Sequence, residues 1–230
     1  MKILALEFSS PQRSVAIVQT IGNAQTAPIS SHEVVDTAAR SANALGLVER
    51  ALCAAQVDRA QIECVAIGLG PGSYSGIRST IALAQGWQLA CCVNLLGISS
   101  AECLAAEAQA EGILGQVHVV IDAQRNEFYL ATYDLGADAR REIEPLQLAT
   151  LAEVRARDQT GGILLGPEVA KWFPNGRVIF PRAATLGRLA LRRNDFVPGE
   201  KMQPIYLRAT QFVKAPPPRI LQKGISRLSR

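Results

Sequence analysis

The residues with the most chemical potential form one run, 70–86, which reads GPGSYSGIRSTIALAQG. A glycine-rich turn feeding a helix can cradle a phosphate, because free backbone N–H groups and the helix dipole both favour an anion. The run is not a Walker loop, since no Lys-Ser or Lys-Thr pair follows its last glycine. Three residues rather than two separate Gly72 from Gly76, which also misses the dinucleotide spacing. A tight structural turn built on Gly70, Gly72, Ser73, Gly76 and Arg78 fits the pattern equally well. Ser73 or Ser75 could act as a nucleophile on such a turn, but a serine hydrolase also needs a base and an orienting acid. The two histidines, His32 and His118, stand far apart in strand-like contexts. The ordinary preference of serine for turns and helix caps accounts for both hydroxyls. Five cysteines, Cys53, Cys64, Cys91, Cys92 and Cys103, include no Cys-x-x-Cys and make an odd number. Neither a disulfide framework nor a zinc site is indicated, and buried small hydrophobes are expected.

The elements that hold this run follow from periodicity. Residues 2–8 form an apolar stretch fit for a buried strand, and 14–19 a second one rich in Val and Ile. The turn residues Ser9, Ser10, Pro11, Gln12 and Arg13 between them predict a hairpin. Residues 37–55 read as a helix with Ser41, Leu45, Val48 and Leu52 on one face, 64–69 as a buried strand, and 78–90 as a helix. A helix over 100–110 leads to a strand at 117–122, a turn at 123–126 and a return strand at 127–133. This repeats the opening of the chain, with Glu7 and Gln12-Arg13 answered by Asp122 and Gln124-Arg125. Two related α/β lobes are expected, each opening with a hairpin, a plan that resembles the duplication seen in the actin, Hsp70 and sugar-kinase superfamily. Short strands at 161–166 and 177–180, a helix at 183–193 and a closing segment at 204–208 complete the reading. The domain expectation is a first lobe at 1–97, a second at 98–213 and a basic tail at 214–230.

Composition sets the frame. The chain has 230 residues, 48% hydrophobic and 19% charged, enough for one large domain or two small lobes. No apolar run approaches the roughly 18–20 residues of a membrane span, and Glu7 interrupts the first apolar stretch, unlike a signal peptide. A cytoplasmic protein with no membrane contact is expected. The net charge of +4 belongs to the tail, where Lys214, Arg219, Lys223, Arg227 and Arg230 face no acid; the remainder has 19 basic against 20 acidic residues. A folded basic face of the kind that grips nucleic acid is therefore not indicated.

Taken whole, the run 70–86 resembles one family, the TsaB proteins, which carry Gly-Pro-Gly-Ser-aromatic-Ser/Thr-Gly-aliphatic-Arg before a helix ending in Gln/Lys-Gly. The likeness continues in order. Glu7 with Ser9-Ser10 stands where the family opens with Asp-Thr-Ser/Thr, and Ser41, flanked here by Arg40 and Ala42, stands where it has His-Ser-Glu. Gly97-Ile98-Ser99-Ser100, Asp122-Ala123 with Arg125, residues 127–129 and residues 204–208 also match, so the resemblance covers about 1–208. Glu7 and the surroundings of Ser41 mark a divergent member.

The resemblance implies a two-lobed actin-like fold without a working active site, paired with a TsaD-like catalytic subunit through helices of the first lobe. A TsaE-like ATPase joins the larger complex, which places threonylcarbamoyl on the adenosine beside the anticodon of tRNA. This chain would then touch tRNA only through the complex, and a homodimer is a further implied assembly. The catalytic partner holds its metal with a paired-histidine helix motif, and His32 and His118 do not form one. Nucleotide-binding relatives need a glycine-rich second phosphate loop, and Ala123-Gln124-Arg125-Asn126 holds no glycine. No catalytic, metal or cofactor residue is expected. Two alternatives remain: an ATP-dependent phosphotransferase of the same fold, and a glycoprotease-type peptidase. Ala38, Ala42 and Gly46 share one helix face, and small residues allow helices to approach closely. With Leu45, Ile77 and Ile81 they make the expected partner interface.

Overall fold

A computed structural model describes residues 1–21, 28–37 and 43–207. Its frame is two five-stranded mixed sheets. In the first, β1 (Lys2–Glu7) pairs antiparallel with β2 (Arg13–Thr20), with Lys2 opposite Gln19 and Glu7 opposite Ser14. Outside β2 lies β3 (Ile29–Asp36), and on the other side β4 (Cys64–Gly68) and β5 (Asn94–Ile98) run parallel to β1. The second sheet repeats this plan. There β6 (Gly115–Asp122) pairs antiparallel with β7 (Glu127–Leu135), β8 (Arg140–Thr150) lies outside β7, and β9 (Ile163–Gly166) and β10 (Arg177–Val178) run parallel to β6. The order β3-β2-β1-β4-β5 is matched by β8-β7-β6-β9-β10. The duplication read from the two hairpins thus extends across both sheets.

Strands buried on both faces read as continuous apolar runs, and β1 shows why. Leu4 and Leu6 point into one core with α1 (Ala44–Ala55) and α2 (Tyr74–Cys91), while Ile3 and Ala5 point into another with α5 (Ala183–Ala190). Between the sheets lies α3 (Ser100–Ala110), which sends Cys103 toward the first and Ala101, Leu104, Ala105 and Ala108 toward the second. A helix packed between two cores needs small buried side chains on both sides, which fits its alanine-rich sequence. The outer face of the second sheet is covered by α4 (Leu151–Gln159) and by Val169 and Phe173. No described helix is long and apolar enough to cross a membrane.

Several boundaries differ from the sequence reading. The helix expected from residue 37 begins at Ala44, where the Asn43 side chain accepts from the Gly46 N–H at 3.0 Å. Thr37 is not helical, and residues 38–42 lie outside the described set. Gly46 therefore sits in the first turn rather than in the helix interior. The stretch expected as the second lobe, 98–213, includes described residues that pack on the first sheet. The chain crosses back after β10, so that α5 packs on β1 and β2, Val197 N bonds Leu95 O at 2.9 Å, and Met202 enters the first core. The expected helix at 183–193 ends at Ala190. The tail 214–230 lies outside the described residues.

Two helix glycines sit in opposite surroundings. A Cβ at Gly86 of α2 meets nothing within 4 Å, whereas one at Gly187 of α5 would overlap the Val18 side chain of β2. Gly86→Ala should raise stability by about 1 kcal/mol, the usual helix penalty of glycine. Gly187→Ala should lower it by about 1–3 kcal/mol through overpacking. Urea unfolding of the two variants checks both signs.

Candidate functional site

The two hairpins face each other across a cleft of about 780 Å³. Ser9, Ser10, Arg13 and residues 72–75 line it from the first lobe; Asp122, Gln124, Arg125, Tyr129, Glu168 and Lys171 line it from the second. The state of each wall decides what the cleft can do.

The first wall is the glycine loop. Gly70–Pro71 is a cis peptide, and Gly70 and Gly72 have φ of 86° and 146°, values that glycine tolerates best. A Cβ at Gly72 would overlap the Ser9 carbonyl oxygen, and one at Gly76 would overlap that of Phe8. The loop is pressed onto the end of β1, backbone against backbone. Three of its amides are engaged in doing so. Gly70 N–H donates to Ser100 Oγ at 3.2 Å, Ser73 N–H to Ser9 O at 2.7 Å, and Gly76 N–H to Ser73 Oγ at 3.3 Å. An anion cradle needs such donors free, and these three are engaged inside the protein. Ser73 is the cap of α2, which begins four residues earlier than expected.

Behind the loop lies Glu7, fully buried. Its Oε1 accepts from Ser9 N–H at 2.8 Å and its Oε2 from Ser100 Oγ at 2.9 Å. A Cβ at Gly68 would collide with this carboxyl group, so the strand beside it must be glycine. Burial pushes the Glu7 pKa above its ordinary value, and the hydrogen bonds from Ser9 and Ser100 only partly oppose that. Glu7 faces inward and is not among the residues lining the cleft.

The second wall is the turn after β6. Gln124, Arg125 and Asn126 have φ of 63°, 59° and 60°, three consecutive non-glycine residues in the left-handed region. Each such residue costs about 1–2 kcal/mol. Asp122 Oδ1 fixes the turn by accepting from Gln124 N–H at 2.7 Å. The side chains of Gln124 and Arg125 project where a glycine loop would leave open backbone.

The other candidates are dispersed. His118 is buried in the second sheet, its Nδ1 3.0 Å from Thr132 Oγ1, and burial, reinforced by Arg157, lowers its pKa. His32 lies on β3 of the other sheet. No cluster of three His, Cys, Asp or Glu residues suited to a metal occurs among the described residues. Of the expected interface, Leu45 is 61% exposed, but Ile77 and Ile81 pack into the first core and offer no surface. Ala38 and Ala42 lie outside the described residues. The solvent face of α2 is instead Ser75, Ser79, Ala82, Gly86 and Leu89, with Leu89 87% exposed. Their alternating spacing of four and three is a helical signal present in the sequence. Cys64 and Cys103 are buried as expected; Cys53, Cys91 and Cys92 are exposed, because they lie at the outer ends of α1 and α2.

Glu7 carries a sign that can be measured. A carboxyl whose pKa is raised in the folded state stabilises fully below its unfolded value, near 4.5, and loses that contribution as pH rises through the folded value. Glu7→Gln removes the ionisation. Its stability relative to the parent chain should therefore rise as the pH is raised above that unfolded value. Urea midpoints across that range provide the check, and a flat difference would mean that Glu7 ionises as it does in the unfolded chain.

Comparison with known proteins places this geometry. The family model described as TsaD, tRNA N6-adenosine threonylcarbamoyltransferase, matches residues 35–219. The tRNA threonylcarbamoyladenosine biosynthesis protein TsaB of Escherichia coli is 25% identical over 90% of this chain and 95% of its own length. An uncharacterised protein of Mycobacterium tuberculosis is 27% identical over 62% of this chain and 63% of its own. Among solved structures, YeaZ from Pseudomonas aeruginosa superposes with a TM-score of 0.73 at 26% identity, over 90% of this chain and 99% of its own. A second Pseudomonas aeruginosa structure, described by its similarity to "peptidase YEAZ", gives a TM-score of 0.72 at 25% identity, with the same coverage. The chain belongs to the TsaD-like family, and within it to the TsaB (YeaZ) proteins.

Proposed function

We propose that this chain is the non-catalytic partner subunit of a TsaD-like threonylcarbamoyltransferase, acting in the cytoplasm in the synthesis of threonylcarbamoyladenosine in tRNA. The observation that carries this reading is the internal use of the glycine-loop amides at Gly70, Ser73 and Gly76. A glycine loop that bonds three of its donors within the protein is suited to scaffolding more than to gripping a phosphate. The inward Glu7 and the side-chain-bearing turn at 124–126 support the same conclusion. They also weigh against the phosphotransferase alternative. The peptidase alternative lacks a base: Ser73 Oγ caps α2, His118 is buried in the second sheet and His32 lies on the first.

Docking is assigned to the solvent face of α2, with Leu45 at the start of α1. Small residues at 75, 79, 82 and 86 would let a partner helix approach closely, and Leu89 supplies an apolar anchor. The same face serves a homodimer when the catalytic subunit is absent, and a TsaE-like ATPase joins the pair rather than this chain alone. Ala82→Arg and Leu89→Arg leave the core untouched and should each weaken association with a TsaD-like protein of the same cell by tenfold or more. Co-purification and titration calorimetry measure this, and unchanged affinity in both variants would move the interface elsewhere. Gly46→Leu is a poorer probe, since a Cβ at Gly46 falls 2.9 Å from Asn43 Nδ2 and disturbs the helix cap.

The same reading forecasts that the isolated chain binds ATP no tighter than about 1 mM and does not hydrolyse it. Calorimetry with ATP and Mg²⁺ tests the first part and phosphate release the second. Turnover that disappears in Asp122→Asn would establish a working phosphotransferase instead.

A further inference from the structure

We infer that His118, Thr132, Glu144 and Arg157 form an acid-sensitive latch, which holds the end of α4 and the turn after it against the second sheet. The four side chains come from β6, β7, β8 and α4, and none of them lines the cleft. They make one continuous chain of contacts. Arg157 Nη2 donates to both oxygens of Glu144 at 2.9 Å, and Thr132 Oγ1 donates to Glu144 Oε2 at 2.9 Å. His118 Nδ1 lies 3.0 Å from the same Thr132 oxygen. A hydroxyl has one proton to give. Thr132 gives its proton to the carboxylate, so it meets His118 as an acceptor, and the ring carries its hydrogen on Nδ1. The neutral ring is then left with a bare Nε2. That edge of the ring is pressed against Gly162, where a Cβ would fall 2.5 Å from both Nε2 and Cδ2.

This arrangement does not accommodate a charged ring. A second proton would sit on Nε2, which forms no hydrogen bond among the described residues, and the ring is buried from water. The charged groups facing it are Glu144 from β8 and Arg157 from α4; β7 and β9 place the uncharged Thr132 and Leu164 beside it. The other charged residues of α4, Glu153, Arg155 and Asp158, are exposed. Glu144 already holds Arg157, so an imidazolium would be a second cation on one carboxylate. Burial, reinforced by Arg157, lowers the His118 pKa, and Glu144 opposes this only in part. The neutral ring therefore stabilises the closed latch above the unfolded value near 6.5, and the contribution is lost as the pH falls below it. The way open is local. Gly161, at φ 81°, and Gly162, whose N–H bonds Arg157 O at 3.2 Å, form the turn after α4. Two glycines can swing away from the ring at little steric cost, which admits water to Nε2 and frees Arg157. Along its length α4 buries one residue, Val154, with Leu151 partly buried, so little else restrains its last turn.

NMR and hydrogen exchange on the full chain read the two halves of the latch. Above pH 6.5 the nitrogen shifts of the His118 ring should show the Nδ1–H tautomer; an Nε2–H tautomer would overturn the chain of donors. Amide exchange, corrected for its intrinsic pH dependence, should show residues 155–162 losing protection below that pH, by up to about tenfold per pH unit for one proton. Amides of β1 and β4 should stay protected over the same range. Loss at an equal rate throughout the molecule, or no loss at 155–162, sinks the latch. His118→Asn keeps a side-chain donor and cannot titrate, so the local opening should no longer depend on pH. Persistence of that dependence in the variant would remove His118 from the device. Should His118→Asn not fold, Arg157→Met takes its place. With a repelling charge gone, His118 should titrate at higher pH than in the parent chain, and an unchanged or lower titration point overturns the inference.

Discussion

The buried carboxyl of Glu7 is the junction on which the arrangement of the first lobe depends. Three segments distant in sequence meet there: the end of β1, the glycine loop after β4, and the start of α3. Ser100 joins them, donating to Glu7, accepting from the Gly70 amide, and bonding the Gly70 carbonyl through its own N–H at 2.7 Å. A buried carboxyl left without donors would be strongly destabilising. The loop and the helix are therefore obliged to stand where their donors reach it. The α3 helix in turn fills the space between the sheets, so the position of one acidic side chain propagates to the spacing of the lobes. Further ties across that spacing, Thr185 with Glu107 and Arg193 with Glu102, start from the same helix.

The two acids that end β1 and β6 play different parts. Each hairpin carries an acid at the end of its first strand, Glu7 and Asp122, beside a loop that lines the cleft. Here the first acid is drawn inward by Ser9 and Ser100, and its loop closes onto β1. The second acid is still at the cleft, but it organises a turn whose left-handed residues have side chains. Maintaining Gln124 and Arg125 in that conformation is unfavourable, and the hairpin register of β6 and β7, with Asp122 opposite Phe128, holds them there.

Much of this was legible in the residues. The two hairpins, the helix after the glycine run and the duplicated plan follow from apolar runs separated by turn residues, because strands buried on both faces have no alternative composition. What escaped were elements without a buried stripe. The edge strand β3, ISSHEVVD, is only half-buried, and β8, RREIEPLQLAT, is an edge strand with a register shift near Pro145, which edges and bulges tolerate. The helix α4 was findable from its capping box, Thr150 with Glu153, a signature independent of hydrophobicity. Burial divides the residues of the expected interface for a geometric reason. Ile77 and Ile81 share a helix with exposed Ala82 and Leu89, and composition alone does not say which side of α2 meets the sheet. The crossing back of the chain after β10 has no local signature at all.

That crossing bears on how the protein is made. The first sheet is finished early in the chain, with β5 ending at Ile98, yet one of its faces is covered by α5 and the edge of its other core by Met202. Gln85 and Gln88 of α2 wait for the backbone of Gly199, and Leu69 waits for Ile205. During synthesis from the N-terminus, the first-lobe sheet must leave the ribosome with Ile3, Ala5 and Val18 uncovered until some ninety further residues have been added. The two lobes thus cannot mature as successive beads. The first is completed only after the strands of the second have been made, when residues 183–205 are added.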